Sequence, residues 1–151
     1  MKESKDFLCY CGLYCKMCSI VNGLPKAAKA LHEVMQEDGW EYFGTQVYPE
    51  FGAFWNTLLE LKELDKSSPN CKAGCGDPSC AIRVCASAKG LEVCAFCEDF
   101  PCSLLQDFGK RYPFVIRNNE RIRELGLDAW LKAMDELVAQ GVTHKSMMES
   151  E

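Results

Sequence analysis

The residues of this chain best suited to chemistry are its eleven cysteines, seven of which fall within residues 70–102. Thiolates at short spacing bind soft metal ions, and a two-residue spacer lets two of them reach one tetrahedral ion. Cys94 and Cys97 have that spacing, and Cys85 and Cys102 are the cysteines on either side of them. We therefore expect one zinc ion to be held by Cys85, Cys94, Cys97 and Cys102.

A second group of cysteines lies near the start of the chain, with spacers of three and two residues between Cys11, Cys15 and Cys18. Because three thiolates leave a tetrahedral ion one ligand short, the fourth must come from elsewhere in the sequence. Cys75 is the expected fourth ligand, since the glycines on both sides of it free the backbone to turn the sulfur inward. The alternative ligands for this second zinc ion are Cys71 and Cys80.

The same cysteines leave two other kinds of chemistry open. Close cysteines also bind iron–sulfur clusters, and radical enzymes use the spacing found from Cys11 to Cys18, although their barrel of strands is much longer than this chain. An iron–sulfur cluster or an open metal position at Cys11, Cys15 and Cys18 would indicate a redox protein or an enzyme. The third hypothesis is a reactive thiolate beside Lys16 or Arg83, for which the sequence places no histidine as a base.

Metal ligation is favoured over disulfides by the odd number of cysteines and by the start of the chain. Its first residues are polar, and cysteines come before any long apolar run, unlike a signal peptide. No stretch is long and apolar enough to cross a bilayer. We therefore expect a cytoplasmic protein, because structural disulfides are rare in the cytosol. Cys9, outside the short-spaced groups, is expected to be a small buried apolar residue.

Charge limits the kinds of partner. The formal net charge is −5, with lysine and arginine scattered among aspartate and glutamate, which argues against a basic nucleic-acid-binding face. We expect a protein or small-molecule partner, and neither nucleic acid nor a membrane. Four thiolates on a divalent ion leave a net charge of about −2, which favours nearby cations. The cations close in sequence to the expected ligands are Lys16, Lys72, Arg83 and Lys89.

The elements that must position these cysteines have helical periodicity. Apolar residues recur at three- and four-residue steps in four stretches, which are Leu24 to about Asp38, Pro49 to about Lys66, Phe114 to Leu125, and Asp128 to Gly141. Shorter helices are expected from Pro78 to Lys89 and after Asp99, a plausible N-cap. The fold class is therefore mainly α: a small cysteine-rich helical domain stabilised by thiolate-bound metal, with little or no sheet.

The whole chain, residues 1–151, is expected to form a single domain with three parts. A metal-tied core covers about residues 9–102, a helical C-terminal part covers about 103–141, and residues 142–151 form a frayed tail. His144 lies in that tail and is expected to be solvated. His32 is expected to be a surface residue or a satisfied core residue rather than a metal ligand.

The expected role of the metal follows from the composition of residues 70–102, in which large apolar residues are few. Structural zinc contributes about 10–16 kcal/mol to folding in small peptides, comparable with the stability of a whole domain. Metal removal should therefore unfold this region. The leading hypothesis is a non-enzymatic, metal-stabilised scaffold that binds a partner or a small ligand.

Several short motifs in the chain resemble one known family. They are Cys11-Gly12-Leu13-Tyr14-Cys15, Gly74-Cys75, Ile82-Arg83-Val84-Cys85, Lys89-Gly90, Cys94-x-x-Cys97 and Phe100-Pro101-Cys102. In combination they resemble the microbial family catalogued as domain of unknown function 3795, from Cys11 to about Trp130. The resemblance implies a small cytosolic protein that binds metal through these cysteines, and it implies no reaction.

Overall fold

The computed structural model describes residues 3–67 and 70–150, and the described part of the chain is mostly helical. It contains no strand of a sheet, and one isolated antiparallel bridge pairs Leu8 with Tyr14. The expected mainly α class is therefore confirmed. No helix among the described residues is long and apolar enough to cross a membrane.

The α-helices are numbered here in chain order. They are α1 (Leu24–Glu37), α2 (Trp40–Val47), α3 (Phe51–Lys62), α4 (Leu64–Ser67), α5 (Ala81–Ala88), α6 (Ser103–Gly109), α7 (Phe114–Leu125), α8 (Leu127–Ala139) and α9 (His144–Glu149). Short 3-10 turns cover Ser4–Phe7, Cys15–Met17, Cys71–Ala73 and Cys94–Phe96, and a π-helical turn covers Ser19–Gly23.

The chain divides into two compact units, and the smaller one is formed by residues 18–68. Its helices α1 and α3 bury Ala28, Phe51 and Leu58. His32 is also buried, with its ring stacked on Trp55 at a centroid distance of 4.9 Å. The Lys62 ammonium lies 3.1 Å from Nδ1 of His32, so this histidine is a satisfied core residue, as expected.

The larger unit is formed by residues 1–17 and 69–151. Trp130 of α8 and Phe114 of α7 are fully buried in its core. Tyr14 packs edge-to-face on Trp130 at 5.9 Å, and its hydroxyl donates a hydrogen bond of 2.7 Å to the carboxylate of Asp135. The N-terminal segment that carries Cys9, Cys11 and Cys15 is thereby packed on the C-terminal helices.

Two short helices begin later than the sequence patterns predict. The helix expected from Pro78 begins at Ala81, and Cys80 is its N-cap. The helix expected to be capped by Asp99 begins at Ser103, and Cys102 is its N-cap. Before α5, Pro78 and Ser79 form a turn in which Asp77 accepts a hydrogen bond from the Ser79 N–H.

A short helix, α9, lies within the segment that was expected to be a frayed tail. Thr143 accepts a hydrogen bond from the Ser146 N–H and so caps helix α9. His144 is half-buried and stacks on Phe114 at 5.8 Å, so the expectation that it is solvated was wrong. The physical reason is that the capped helix places the imidazole on an apolar ring of the core, where burial lowers its pKa to about 4.

Candidate metal centre

Four cysteines line a single small cavity in the larger unit. Cys85 lies on α5, Cys94 begins a 3-10 turn, Cys97 follows that turn, and Cys102 caps α6. The cavity volume is about 30 Å³, enough for a water molecule or one ion. These are the same four residues that the sequence assigns to one zinc ion, and we call them the four-cysteine set.

The chain turns sharply between Cys85 and Cys94 because α5 ends in a glycine-based cap. Gly90 has a φ of 63°, and the Leu91 N–H donates to the carbonyl of Ala86 at 2.9 Å. This pattern is the Schellman motif, which closes a helix and reverses the chain. The turn brings the segment after Leu91 back toward the end of α5, where Cys85 lies.

The segment around Cys94 is held from both sides. Val93 and Ala95 are fully buried, which fixes the backbone on either side of Cys94. The Cys94 N–H donates a hydrogen bond of 2.7 Å to the carbonyl of Tyr10 in the N-terminal segment. The Cys97 N–H returns to the Cys94 carbonyl at 3.0 Å, so the two cysteines of the pair belong to one tight turn.

The electrostatics of the four-cysteine set disfavour uncompensated thiolates. Burial, followed by the charges of neighbouring thiols, raises the pKa of Cys94 to about 12, and the neighbours are Cys11, Cys102, Cys97 and Cys85. The Lys89 ammonium lies 3.5 Å from the Cys97 sulfur and 2.7 Å from the Asp99 carboxylate. One of the four cations expected beside the ligands is therefore in place at the rim of the cavity.

As the side chains stand in residues 3–67 and 70–150, no group of three or more His, Cys, Asp or Glu could hold a metal ion. Two observations therefore group these four cysteines. They line one cavity, and Cys85, Cys97 and Cys102 each raise the pKa of Cys94. Metal binding there would require the thiols to turn into the cavity. Rotation of each cysteine about its Cα–Cβ bond, from one staggered rotamer to another, would produce this movement.

A different group of sulfurs meets beside the N-terminal segment. The Cys9 and Cys15 sulfurs are 3.3 Å apart, and Cys71 lies close enough to both to shift the pKa of each thiol. We call these residues the three-cysteine set. Cys9 was expected to be a small buried apolar residue; it is buried, and its sulfur also contacts that of Cys15.

The three thiols of the three-cysteine set differ in their pKa values. Hydrogen bonds to Cys11, Cys15 and Cys71, together with burial, raise the pKa of Cys9 well above its ordinary value. The hydrogen bond from Cys9 lowers the pKa of Cys15 and, with help from the Arg83 guanidinium, lowers that of Cys71 to about 6. The Cys9 thiol therefore keeps its proton to a higher pH than the thiols of Cys15 and Cys71.

Arg83 is anchored beside this set by backbone carbonyls. Its Nη1 donates to the carbonyl of Asp77 at 3.1 Å, its Nη2 donates to the carbonyl of Cys75, and the same Nη2 lies 4.0 Å from the Cys71 sulfur. The charges of Cys71, Cys80 and Cys75 act on the guanidinium. Arg83 therefore lies among the cysteines of residues 71–80.

Two adjacent asparagines of α7 hold the N-terminal cysteine loop. Asn118 Nδ2 donates to the Gly12 carbonyl at 3.0 Å, and Asn119 Nδ2 donates to the Cys11 carbonyl at 2.8 Å. Both side chains are buried. Neither was predicted from the sequence, although two asparagines on the apolar side of a helix, next to Val115 and Ile122, are a signal of a buried polar contact.

The remaining predicted ligands are distributed as follows. Cys15 lies in the three-cysteine set. Cys11 raises the pKa of both Cys9 and Cys94. Cys75 is half-buried, and its carbonyl accepts a hydrogen bond from Arg83. Cys18 is the first residue of the smaller unit. A second zinc ion on Cys11, Cys15, Cys18 and Cys75 remains a prediction. Two members of the three-cysteine set are among the residues predicted to bind this second ion: Cys15 and the alternative ligand Cys71.

The comparisons with known proteins give one match. A family model described as "Protein of unknown function (DUF3795)" matches residues 7–107. The matched region contains all eleven cysteines and therefore both sets, and it ends within α6. No curated protein and no solved structure matches the chain.

Proposed function

Because the chain belongs to the DUF3795 family, whose description assigns no activity, we propose a function from the site itself. The four-cysteine set binds one zinc ion through four thiolates, and the metal has a structural role. The observation that carries this proposal is the single cavity of about 30 Å³ that all four cysteines line. Four thiolates and no open position are typical of structural zinc sites.

The size and surroundings of the cavity favour a single ion. An iron–sulfur cluster places several iron and sulfide atoms between its cysteines and needs more room than one water molecule occupies. Three of the cavity's other lining residues, Ile82, Ala86 and Leu105, are buried and apolar. Lys89 offsets part of the net negative charge that four thiolates leave on a divalent ion.

Zinc at this site would support a surface for a partner. Val84 precedes Cys85 on α5 and is 62% exposed, and Phe96 lies between Cys94 and Cys97 and is 49% exposed. A metal ion bound to the neighbouring cysteines would fix the backbone that carries these exposed apolar side chains. The entropic cost of ordering them when a partner binds would then be small. We propose that the zinc site presents Val84 and Phe96 to a protein or small-molecule partner. An iron–sulfur or open-site redox protein, built on Cys11, Cys15 and Cys18, is the competing hypothesis.

Elemental analysis with an absorption spectrum tests the proposal. Protein purified anaerobically should carry one zinc per chain in the four-cysteine set and no visible absorption. The variant Cys97→Ser should lose that zinc, and a chelator should lower the melting temperature of the wild type but not that of the variant. Cys80→Ser is the matched control for this site, because Cys80 is half-buried like Cys97 but does not line the cavity.

Two outcomes would contradict the proposal. One is full zinc retention in Cys97→Ser, which would place the metal elsewhere. The other is a brown protein with iron and sulfide in equal amounts, which would favour the competing hypothesis. A second zinc that disappears in Cys18→Ser would add the second predicted ion without affecting the first.

A further inference from the structure

Another cavity, of about 340 Å³, lies in the smaller unit and has no part in the proposed zinc site. Four aromatic rings, a methionine and a carboxylate-bearing residue line it, and these are Trp40, Tyr48, Phe51, Phe54, Met35 and Glu50. We call it the aromatic cavity. We propose that it binds a small organic cation through an alkylated ammonium group, which packs against the rings with Glu50 as its counter-charge.

The rings of the aromatic cavity surround a buried phenylalanine. Phe51 is 6% exposed, and its centroid lies 5.8 Å from that of Trp40 and 5.8 Å from that of Phe54. The Tyr48 ring is nearly parallel to the Trp40 ring, at an angle of 12° and a centroid distance of 6.2 Å. Tyr48 and Phe54 are 59% and 43% exposed, so a ligand reaches the rings from solvent.

Local structure holds the rings in place before any ligand binds. A Cβ atom added at Gly44 would lie 2.4 Å from Cδ1 of Phe51, so the missing side chain lets the Phe51 ring lie directly on α2. In the turn after α2, the Phe51 N–H donates to the Tyr48 carbonyl at 3.0 Å. The aromatic cavity is therefore formed by contacts within the smaller unit, and a ligand pays little to order it.

The lining determines the chemical class of the ligand. Aromatic faces attract a cation that lies within about 6 Å of the ring centroid. The surface of the lining consists of apolar atoms, so a metal ion or an unsubstituted ammonium ion would lose its water without oxygen acceptors to replace it. A trimethylammonium group has no N–H to satisfy, and its methyl groups pack on apolar rings that also attract its charge.

The charge of the surroundings favours a cation over a neutral ligand. Residues 18–68 contain eight aspartates and glutamates, four lysines and no arginine. Asp38 and Glu41 flank Trp40 in the chain and are exposed, as Glu50 is. Within the described part of the chain, none of these three carboxylates forms an ion pair. Rotation of the exposed Glu50 side chain can bring its carboxylate to a bound cation.

The same features favour a small molecule over a protein segment. The volume of about 340 Å³ is at the lower end of the range of about 300–1,000 Å³ typical of small-molecule sites. A peptide would bring backbone N–H and C=O groups that need partners, and the apolar lining offers none. A second copy of this chain would bring its own acidic surface against Glu50, which like charges disfavour.

Titration of the full-length protein with choline chloride, followed through the NMR signals of the indole N–H groups, tests the proposal. Choline should shift the Trp40 signal in a saturable way and leave that of Trp130, buried in the larger unit, unchanged. The neutral analogue in which carbon replaces the choline nitrogen should bind about tenfold more weakly, because it lacks the charge. Glycine betaine should also bind more weakly than choline, because its carboxylate is repelled by the acidic surroundings.

Two variants separate the ring from the charge, with dissociation constants measured by calorimetry. Trp40→Leu keeps an apolar side chain but removes one aromatic face, and it should raise the dissociation constant for choline about tenfold. Glu50→Gln should raise it several-fold, and at an exposed position it leaves the packing intact. Tyr42→Leu and Glu60→Gln are the matched controls, because both residues are exposed on α2 and α3 but do not line the cavity. Both controls should bind choline like the wild type.

Any of four results overturns the proposal. Choline gives no saturable shift of the Trp40 signal, or the neutral analogue binds as tightly as choline. Glu50→Gln and Trp40→Leu both bind choline like the wild type. A trimethyllysine peptide binds more tightly than choline by about tenfold or more, which would assign the aromatic cavity to a protein partner. Since no cysteine of the described residues lines this cavity, these results do not depend on whether the four-cysteine set binds zinc.

Discussion

The amide nitrogen of Asn119 lies 2.8 Å from the carbonyl oxygen of Cys11, which is 108 residues earlier in the chain. The same nitrogen also donates to the Val115 carbonyl at 2.8 Å, one helical turn away. Together with the Asn118 amide, which donates to the Gly12 carbonyl, this buried amide ties the cysteine loop to α7. Both sets of cysteines contact this loop, because its Tyr10 carbonyl accepts a hydrogen bond from the Cys94 N–H and it carries the Cys9 sulfur.

Replacing Asn119 with alanine is expected to destabilise the protein by about 1–3 kcal/mol, because the carbonyl of the buried Cys11 loses its side-chain donor. Asn119→Asp keeps the shape but removes the donors, and it should cost at least as much. Urea denaturation with a fixed metal concentration measures both. Asn56→Ala, at an exposed position of helix α3, is the matched control and should change stability by less than about 0.5 kcal/mol. An Asn119→Ala variant as stable as that control would show that the loop is held by other contacts.

Gly12 packs against the side chain of Asn119. A Cβ atom added at Gly12 would lie 2.4 Å from Nδ2 of Asn119, and the residue has a φ of 88°. Gly12→Ala therefore combines backbone strain of about 1–2 kcal/mol with a steric clash at a buried hydrogen bond.

Gly90→Ala provides the comparison for Gly12→Ala. Gly90 also has a positive φ, of 63°, but no atom lies within 4 Å of its added Cβ. Only the backbone strain applies there, so Gly12→Ala should be the more destabilising of the two in denaturant melts. Equal losses would mean that Asn119 moves aside without cost.

Acid should weaken the fold through His144. Burial lowers the pKa of His144 in the folded protein to about 4, from its ordinary value of 6.5. Between these pH values the unfolded chain binds more protons than the folded chain, so stability falls as the pH drops from about 6.5 to about 4. The loss is on the order of 1–3 kcal/mol.

The variant His144→Gln isolates this effect, because glutamine does not titrate. Its stability should change less over the same pH range, and the difference between the two pH profiles reports His144 alone. Identical profiles would show that other groups, such as carboxylates or metal-bound thiols, account for the whole acid response.

The sequence predicted local features of the candidate site and missed the distant ones. Cys94 and Cys97 belong to one turn, as their spacing indicates, and the short segments before and after the turn carry Cys85 and Cys102 to the same cavity. Helices α1, α3 and α7 also begin or end within a few residues of their expected limits, because their apolar periodicity is regular.

The three-cysteine set could not be predicted because it depends on tertiary packing. Cys71 reaches Cys9 across more than sixty residues, and spacing gives no information at that distance. His144 was expected to be solvated because no apolar pattern surrounds it; its burial comes from Phe114, which lies on a different helix. Asn119 was missed for the same reason, since its partner, the Cys11 carbonyl, is a backbone group.

One zinc ion is proposed to bind to Cys85, Cys94, Cys97 and Cys102. X-ray absorption at the zinc edge, on protein purified without oxygen, measures the ligands of that ion. We expect one zinc per chain with four sulfur neighbours at about 2.3 Å, and loss of one sulfur neighbour or of the metal in Cys97→Ser. A zinc shell dominated by nitrogen or oxygen, or a four-sulfur shell that Cys97→Ser leaves unchanged, would contradict it.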